Sequence, residues 1–420
     1  MLGDDPRTGS SMSVDLAAVD LVGAEAVRDP HAVFARLREH GAGKIQWLPR
    51  HKAWLLMDFD LVKRAIQDEA FSTDTITALY ARLTDEERER FKSAEELFRG
   101  WMIFNDPPTH TRLRRPVATA FTPKGVMALR PEIEQMTDAI LDRFEACGST
   151  DFISSAAFPL PASVIGLLLG VEDDRYSDMR DWSKQLGSLI MGKVSRGDAW
   201  DRSLAAAEQM QSYFGDLLEH FGEHPTDNLV TRMLTAVDAD FPLSGSQLVG
   251  ACSLLLFGGH ETTMSLIATG VYHLIQRPEN RAELLARPEL TELAVEELLR
   301  FDGPSKILVR RVRDDCTWHG TSMKSGQAVF CCTTAANRDP NQFEDPDAFI
   351  INRSPNRHLG FGFGMHFCLG AQLARLEAQI VIPRVLARFP RLRLACEPEE
   401  LSWHPTIVGR TLQALPVRID

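Results

Sequence analysis

One cysteine stands where a glycine-rich loop meets a predicted helix, within the sequence FGFGMHFCLGAQLAR of residues 361–375. Three glycines lie within nine residues there: Gly362, Gly364 and Gly370. They allow the backbone to turn tightly and let a flat group approach it. Apolar residues then recur with a helical period, at Leu369, Leu373, Leu376 and Ile380. A thiol at a helix start lies near the positive end of the helix dipole, so Cys368 is predicted to form a thiolate ligand.

The pattern F-G-x-G-x-H-x-C-x-G-x-x-L-A-R is long, and every position of it is present. It resembles the haem-binding loop of the cytochrome P450 family. The resemblance implies that Cys368 is the axial thiolate ligand of a haem b iron. It also implies that the loop residues beside the haem are Phe361, Gly362, Gly364 and Gly370. The alternative is a structural thiol, because free cysteines are among the most buried residues.

A basic segment earlier in the chain supplies candidate partners for the haem carboxylates. After Asp106-Pro107-Pro108, His110 and Arg114 are four residues apart and share one helical face. Taken alone, this spacing would be typical of a solvated basic stripe. The order D-P-P-x-H-T-R-L-R-R, however, resembles the propionate-binding helix of the same family, and propionates need cationic partners in a site of low dielectric. The resemblance adds Arg310, or Arg311 if the register shifts by one residue, and His366 to these partners.

A long apolar helix, predicted from about Ser246 to Gln276, is interrupted at its centre by the sequence GGHETT of residues 258–263. Each interior glycine costs about 1 kcal/mol relative to alanine, and a buried carboxylate costs more unless it is paired or hydrated. Such conflicts are expected at functional sites. A helix crossing that needs small residues, with Glu261 reaching water, is the alternative explanation.

This interruption resembles the oxygen-activating segment of the family. The resemblance implies that the glycines leave room for dioxygen, that the Thr262 hydroxyl holds dioxygen or a water, and that Glu261 relays protons. His260 lies about 100° round the helix from each neighbour and is assigned no catalytic role.

Glu297 and Arg300 are three residues apart on a helix predicted from Thr291 to Phe301. This spacing usually marks a solvated pair worth a few tenths of a kcal/mol. In the family the pair joins a later arginine, and Arg353 occupies that place. The resemblance therefore implies a buried structural network near the thiolate loop, without a part in the chemistry.

The residues expected to line a substrate cavity are Leu254, Phe257, Gly258, Ile307, Leu308 and Ile407. Their apolar character predicts a hydrophobic small molecule as substrate. Lys306 departs from this pattern. A lysine that faces the cavity would favour a carboxylate- or oxygen-bearing substrate, whereas a side chain that turns away would leave the cavity apolar. His273, further along the long helix, is predicted to be an ordinary core or surface histidine.

Composition limits the remaining possibilities. The chain has 420 residues, of which 44% are hydrophobic and 25% charged, as in globular proteins large enough to enclose a cofactor. A net charge of −12 without a basic block disfavours nucleic-acid binding. Seven cysteines without framework spacing or metal-binding pairs indicate a reducing compartment. The polar N-terminus and the lack of a long apolar run predict neither a signal peptide nor a membrane anchor, and hence a cytoplasmic protein.

The elements that must position these side chains are mainly helical. Residues 1–25 are predicted to be a loosely ordered lead-in and residues 26–420 one domain. The predicted elements are a helix from Asp29-Pro30, a hairpin over 44–57, a helix over 61–67, a charged helix over 85–99, antiparallel helices over 129–240 with short breaks at Gly148, 159–161, Gly170 and Pro225, and a buried strand over 329–336. The resemblance implies a mainly α fold with a small β region, enclosing haem between the long helix and the cysteine loop.

The resemblance runs from about residue 30 to the end and implies a monooxygenase that inserts one oxygen atom of O2 into its substrate. Because 420 residues leave no room for a flavin or nicotinamide domain, a separate ferredoxin-type protein with its reductase is expected to supply electrons. Arg112, Arg115 and Arg357 are candidates for its docking patch, or are simply solvated. Two alternatives stay open: a peroxide-driven peroxygenase or decarboxylase, which would not need the acid and hydroxyl of the GGHETT sequence, and a non-catalytic haem-binding sensor.

Overall fold

A computed structural model describes the protein over residues 14–39, 44–148, 150–190, 197–236 and 243–420. The α-helices in these ranges are α1 Ala24–Arg28, α2 Pro30–Glu39, α3 Phe59–Ala65, α4 Ile76–Tyr80, α5 Asp85–Arg99, α6 Thr109–Ala120, α7 Pro123–Ala128, α8 Arg130–Cys147, α9 Pro159–Leu169, α10 Tyr176–Ile190, α11 Asp198–Glu223, α12 Leu229–Thr235, α13 Gly245–Ile275, α14 Pro278–Ala286, α15 Thr291–Asp302, α16 Thr333–Ala336 and α17 Ala371–Arg388. The strands are β1 Ile45–Leu48, β2 Ala53–Leu56, β3 Phe71–Ser72, β4 Thr150–Asp151, β5 Leu308–Val312, β6 Cys316–Trp318, β7 Thr321–Met323, β8 Ala328–Cys331, β9 Arg393–Leu394 and β10 Pro416–Arg418.

The fold is mainly α with small sheets, as predicted. The largest sheet has the order β1-β2-β8-β5-β3. The predicted hairpin is its β1–β2 pair, and β2 runs parallel to β8 while β5 lies antiparallel to it. None of the helices in the described ranges is long and apolar enough to cross a membrane.

The long helix α13 is the central element, and it packs against α5, α9, α11, α15 and α17. It begins where the sequence provides a capping box: the Ser244 hydroxyl accepts the backbone N–H of Gln247 at 3.2 Å, and the Gln247 side chain accepts the N–H of Ser244 at 3.1 Å. Because α13 contacts helices on several sides, the side chains at its centre lie deep in the molecule.

Two local predictions were wrong. The strand predicted over 329–336 ends at Cys331, and Thr333–Ala336 forms the helical turn α16. The Thr333 hydroxyl donates to the carbonyls of Ser305 and Lys306 there, which holds the turn beside the segment that leads into β5. The break predicted at 159–161 is the first turn of α9, where a proline's missing N–H leaves no hydrogen bond unmade.

The predicted lead-in falls partly outside the described residues, since the description begins at residue 14. From there the chain packs on the domain, and the side chain of Leu21 is buried. The domain boundary at residue 25 stays a prediction.

Candidate active site

The middle of α13 has one accessible face. Gly258 and Thr262 are exposed although the helix around them is largely buried, and the Thr262 hydroxyl donates to the Gly258 carbonyl at 2.9 Å. A Cβ added at Gly258 would meet no described atom within 4 Å, whereas one at Gly259 would stand 3.0 Å from Ile165 of α9. Gly259 therefore serves a helix crossing, and Gly258 faces open space.

Glu261 lies on the edge of this open face and titrates near neutrality. Burial raises the pKa of its carboxyl to about 7, a value suited to giving and taking a proton at physiological pH. Its neighbour His260 is buried among other groups: Nδ1 lies 2.7 Å from the Leu256 carbonyl, and the ring stands edge-on to Phe158. Burial lowers the pKa of His260 to about 4, so its ring is neutral.

The cysteine loop takes its shape from two of its three glycines. Gly362 and Gly364 have φ values of 70° and 73°, a left-handed backbone that other residues rarely adopt. The backbone N–H of Cys368 donates to the Phe361 carbonyl at 2.9 Å and closes the loop. Gly370 has φ −79° and precedes α17, and a Cβ there would meet nothing within 4 Å. The loop therefore presents the Cys368 thiol with open space beside it.

The Cys368 thiol is exposed, and yet protein surrounds it closely enough for burial to raise its pKa. Exposure to solvent together with an effect of burial on the pKa indicates that Cys368 lies at the bottom of an open cleft. The Gly370 N–H and the cations Arg114 and Arg375 act in the opposite direction. Desolvation is thus the larger of the two opposing effects on the pKa of the thiol, and the helix start, whose N–H groups favour the thiolate, is the smaller one. A bound metal cation would deprotonate the thiol outright.

Two imidazoles and two guanidinium groups gather beside the cysteine loop. His110 is 2% exposed, and its ring centroid is 4.2 Å from that of His366. Among the residues that the structure describes, neither ring nitrogen of His110 has a hydrogen-bond partner. Arg114 donates to the Phe367 carbonyl at 2.7 Å, and Arg310 is buried. Burial, with the neighbouring His110 and Arg310, lowers the pKa of His366 to about 3. These donors fit a ligand that carries carboxylates, because buried polar groups normally have partners.

Arg311 belongs to a different surface. Next to Arg310 on β5, it donates to the Gly326 carbonyl and lies near Arg82 and Asp74. The structure thus brings Arg310, and not Arg311, to the histidines.

Glu297 is the centre of a buried ion network. Its two carboxylate oxygens accept from Arg300 at 2.7 Å each, and Arg353 donates to them at 3.2 and 3.3 Å. The backbone N–H of Ile350 adds a further bond at 2.8 Å. Because Arg300 and Arg353 also bind backbone carbonyls between Asn337 and Ala348, the network fixes the irregular segment that precedes the cysteine loop.

The residues expected at the substrate cavity lie in several environments. On α13, Leu254 is buried and Phe257 lies 4.9 Å from Trp101, ring centroid to ring centroid. Ile307 is buried in a core cluster, Ile407 packs against the same cluster, and Leu308 is half-buried. Lys306 is buried with its Nζ 2.5 Å from the Thr406 carbonyl.

Two residues near the site were missed by sequence reasoning. Trp101 hydrogen-bonds Ser253 of α13 at 2.7 Å and stacks on Phe104, so it forms a fixed wall beside Phe257. The positive charge of Arg375 favours the thiolate form of Cys368. The Arg375 guanidinium donates two hydrogen bonds to the carboxylate of Glu296. Arg375 stands in the L-A-R end of the cysteine motif, a signal that was available; Trp101 has no such signal.

Comparisons with known proteins agree with this geometry. A family model described as Cytochrome P450 matches residues 206–398. The chain is 39% identical to Cytochrome P450 107B1 of Saccharopolyspora erythraea, over 96% of this chain and 98% of that protein. This chain belongs to the cytochrome P450 family. It is also 35% identical to the P450 monooxygenase PikC of Streptomyces venezuelae, over 98% of this chain and 96% of PikC. The crystal structure of myxobacterial CYP267B1 in complex with myristic acid superposes with a TM-score of 0.85 and 35% identity, covering 95% of this chain and 98% of that one.

Membership identifies the class of enzyme and its cofactor. The protein is a cytochrome P450 monooxygenase, an oxidoreductase that uses haem b with an axial cysteine thiolate, and O2, to oxygenate a hydrophobic small molecule.

Proposed function

We propose that Cys368 is the axial haem ligand and that His110, Arg114, Arg310 and His366 bind the haem propionates. The observation that carries this proposal is the buried His110 ring, which finds no hydrogen-bond partner in the described part of the chain and packs against His366 beside an accessible thiol. In this arrangement neutral imidazoles and guanidinium groups donate hydrogen bonds to two carboxylates. The loop residues Phe361, Gly362, Gly364 and Gly370 leave the thiol side open to a flat ring.

The haem, when bound, supplies the activation of dioxygen and the oxygenation of the substrate. Thr262 and Glu261 then serve proton delivery at the open face of α13. The Thr262 hydroxyl, held toward Gly258, can retain a water or dioxygen there, and Glu261 can exchange its proton with that position because its pKa is about 7. Glu297, Arg300 and Arg353 give structural support to the loop.

The substrate is proposed to be a hydrophobic molecule that contacts Leu254, Phe257, Gly258, Ile307, Leu308 and Ile407. Apolar walls with few polar groups are typical of sites for hydrophobic ligands. Myristic acid, bound by CYP267B1, is a suitable first member of a screen for spin-state shifts that also contains steroids, terpenes, aromatics and macrolides.

The electron donor is proposed to be a small acidic ferredoxin, served by its own reductase in the cytoplasm. Arg115 and Arg357 are exposed and Arg112 is half-buried. Exposed basic side chains would steer an acidic partner electrostatically, and this effect should weaken with salt.

The absorption spectrum of the reduced, carbon monoxide-bound protein tests the haem assignment. The wild type should show the strongly red-shifted band of a thiolate ligand, and Cys368→Ser should lose that band. A band that survives in Cys368→Ser would overturn the ligand assignment, and Cys147→Ser, at an exposed surface cysteine, is the matched control. Thr262→Ala should consume electrons and release peroxide with less product. Undiminished coupling in that variant would refute the proton-delivery role.

A further inference from the structure

The ammonium group of Lys306 joins two segments that are far apart in sequence. Its side chain is only 3% exposed. Nζ lies 2.5 Å from the Thr406 carbonyl oxygen, and 3.5 Å from that of Leu21, a longer contact. A buried ammonium needs acceptors, and backbone carbonyls of the N-terminal segment and of the C-terminal region supply them here.

The Thr406 carbonyl belongs to a tight turn that carries Ile407. The Thr406 hydroxyl accepts the backbone N–H of Gly409 at 2.8 Å, and the backbone N–H of Lys306 donates to the Val408 carbonyl at 2.8 Å. Lys306 therefore holds this turn twice, once by its main chain and once by its side chain. The carbonyl that accepts from Nζ belongs to Thr406, the residue directly before Ile407.

The N-terminal segment is fixed at the same point. The backbone N–H of Leu21 donates to Nε2 of His51 at 3.0 Å, and the Leu21 side chain lies in the core cluster that contains Ile307. Ile407 packs against that cluster. A shift of the turn would therefore move Ile407 relative to Leu21 and Ile307 together.

We propose that Lys306 is a positioning residue for the substrate cavity, which holds Ile407 in place through the Thr406–Gly409 turn and the Leu21 carbonyl and does not contact the substrate. The proposal rests on the proposed function only in placing Ile407 at the cavity wall. Of the two alternatives that the sequence leaves open for Lys306, it favours a side chain that does not bind an oxygen-bearing substrate, because the ammonium is directed at backbone carbonyls.

Azole titration of the haem-loaded protein tests the proposal without a known substrate. Imidazole reports access to the iron alone, whereas clotrimazole fills the cavity with three aryl rings. Lys306→Met should weaken clotrimazole binding by about tenfold, which corresponds to about 1.4 kcal/mol, and leave imidazole binding unchanged. Lys324→Met, at an exposed lysine paired with Asp315, is the matched control and should change neither.

A double-mutant cycle separates positioning from direct contact. If Lys306 acts through the turn, Lys306→Met should cost little clotrimazole affinity once Ile407→Ala has removed the positioned side chain. Additive losses in the two variants would overturn the proposal, since independent contacts add. Equal binding of clotrimazole and imidazole by the wild type would also overturn it, because the wall would then contribute nothing.

Hydrogen exchange gives a readout that does not depend on haem. Lys306→Met should speed amide exchange in residues 14–28, where the Leu21 carbonyl has lost its cation. Lys306→Arg keeps a charged donor and should restore part of the protection, and it also serves if the methionine variant fails to fold. Unchanged exchange in both variants would contradict the proposal. Failure of the proposed function would appear differently, as a missing thiolate band in the wild-type spectrum.

Discussion

Replacement of Glu377 by glutamine should make the protein more stable at alkaline pH. Glu377 lies on α17 with 1% of its surface exposed, and its Oε2 has no hydrogen-bond partner within the described ranges of the chain. Burial raises the pKa of this carboxyl well above its usual range, so the folded protein keeps the group protonated. The carboxyl is tolerated in the core because it is neutral there.

The sign of the pH dependence follows from this raised pKa. In strong acid the carboxyl is protonated in both the folded and unfolded states and contributes no dependence. As the pH rises past the ordinary glutamate range, the unfolded chain releases its proton and the folded protein does not. The free energy of unfolding then falls by about 1.4 kcal/mol for each pH unit over which this difference lasts. Glu377→Gln cannot ionise in either state, so it should lose this part of the slope.

Urea unfolding of both proteins, at about pH 5.5 and about pH 8, measures the difference. The variant should gain stability over the wild type mainly at the higher pH. Glu208→Gln, at an exposed position of α11, is the matched control and should leave the slope unchanged. If the wild type and Glu377→Gln change equally with pH, the carboxyl ionises in the folded state and the argument from burial is refuted.

Three further predictions concern other charged groups. The yield of product per electron pair should fall as the pH rises through about 7, since Glu261 is then deprotonated; Glu261→Gln should be slower by about 100-fold and lose this titration. Glu297→Ala should cost about 3–5 kcal/mol in urea unfolding because it strands two buried arginines, whereas Glu283→Ala, in an exposed pair, should cost less than about 1 kcal/mol. His31 and His273, both bonded to the buried Asp302, have pKa values lowered by burial. Their contribution to stability is therefore present above about pH 6.5 and lost as the pH falls below it, and His31→Asn should unfold with a shallower acid dependence.

The features that could be predicted from the sequence depend on residues that are close together in the chain. The start of α13 follows from a serine and a glutamine three residues apart, and α5 begins and ends at the predicted Asp85 and Arg99. The cysteine loop was recognisable because glycines with left-handed φ occur at fixed offsets from one cysteine. In each case the interacting groups are neighbours in the chain.

The features that escaped prediction depend on partners far away in sequence. Lys306 was expected at the cavity or turned from it, and its acceptors lie 100 and 285 residues away. Whether Gly258 or Gly259 faces open space depends on Ile165 of another helix. Nothing in the local pattern of α17 shows that Oε2 of Glu377 is buried without a partner among the described residues. The spacing of residues along one helix fixes the directions of their side chains relative to one another. Which residues lie opposite those side chains is decided only when the elements of the fold pack together.

Burial, more than local dipoles, decides the protonation states at this site. The position of Cys368 at a helix start predicts a lowered pKa for its thiol, but burial raises that pKa because desolvation outweighs the Gly370 N–H and two arginines. The same cause moves Glu261 upward and His366 downward. All three shifts favour the neutral form, as expected where charged groups lose water. A site of this kind binds anionic or cationic groups strongly once they enter, since each charge finds donors or counter-charges in a medium of low dielectric. Burial therefore favours the neutral Cys368 thiol, whereas a bound metal cation would deprotonate it outright.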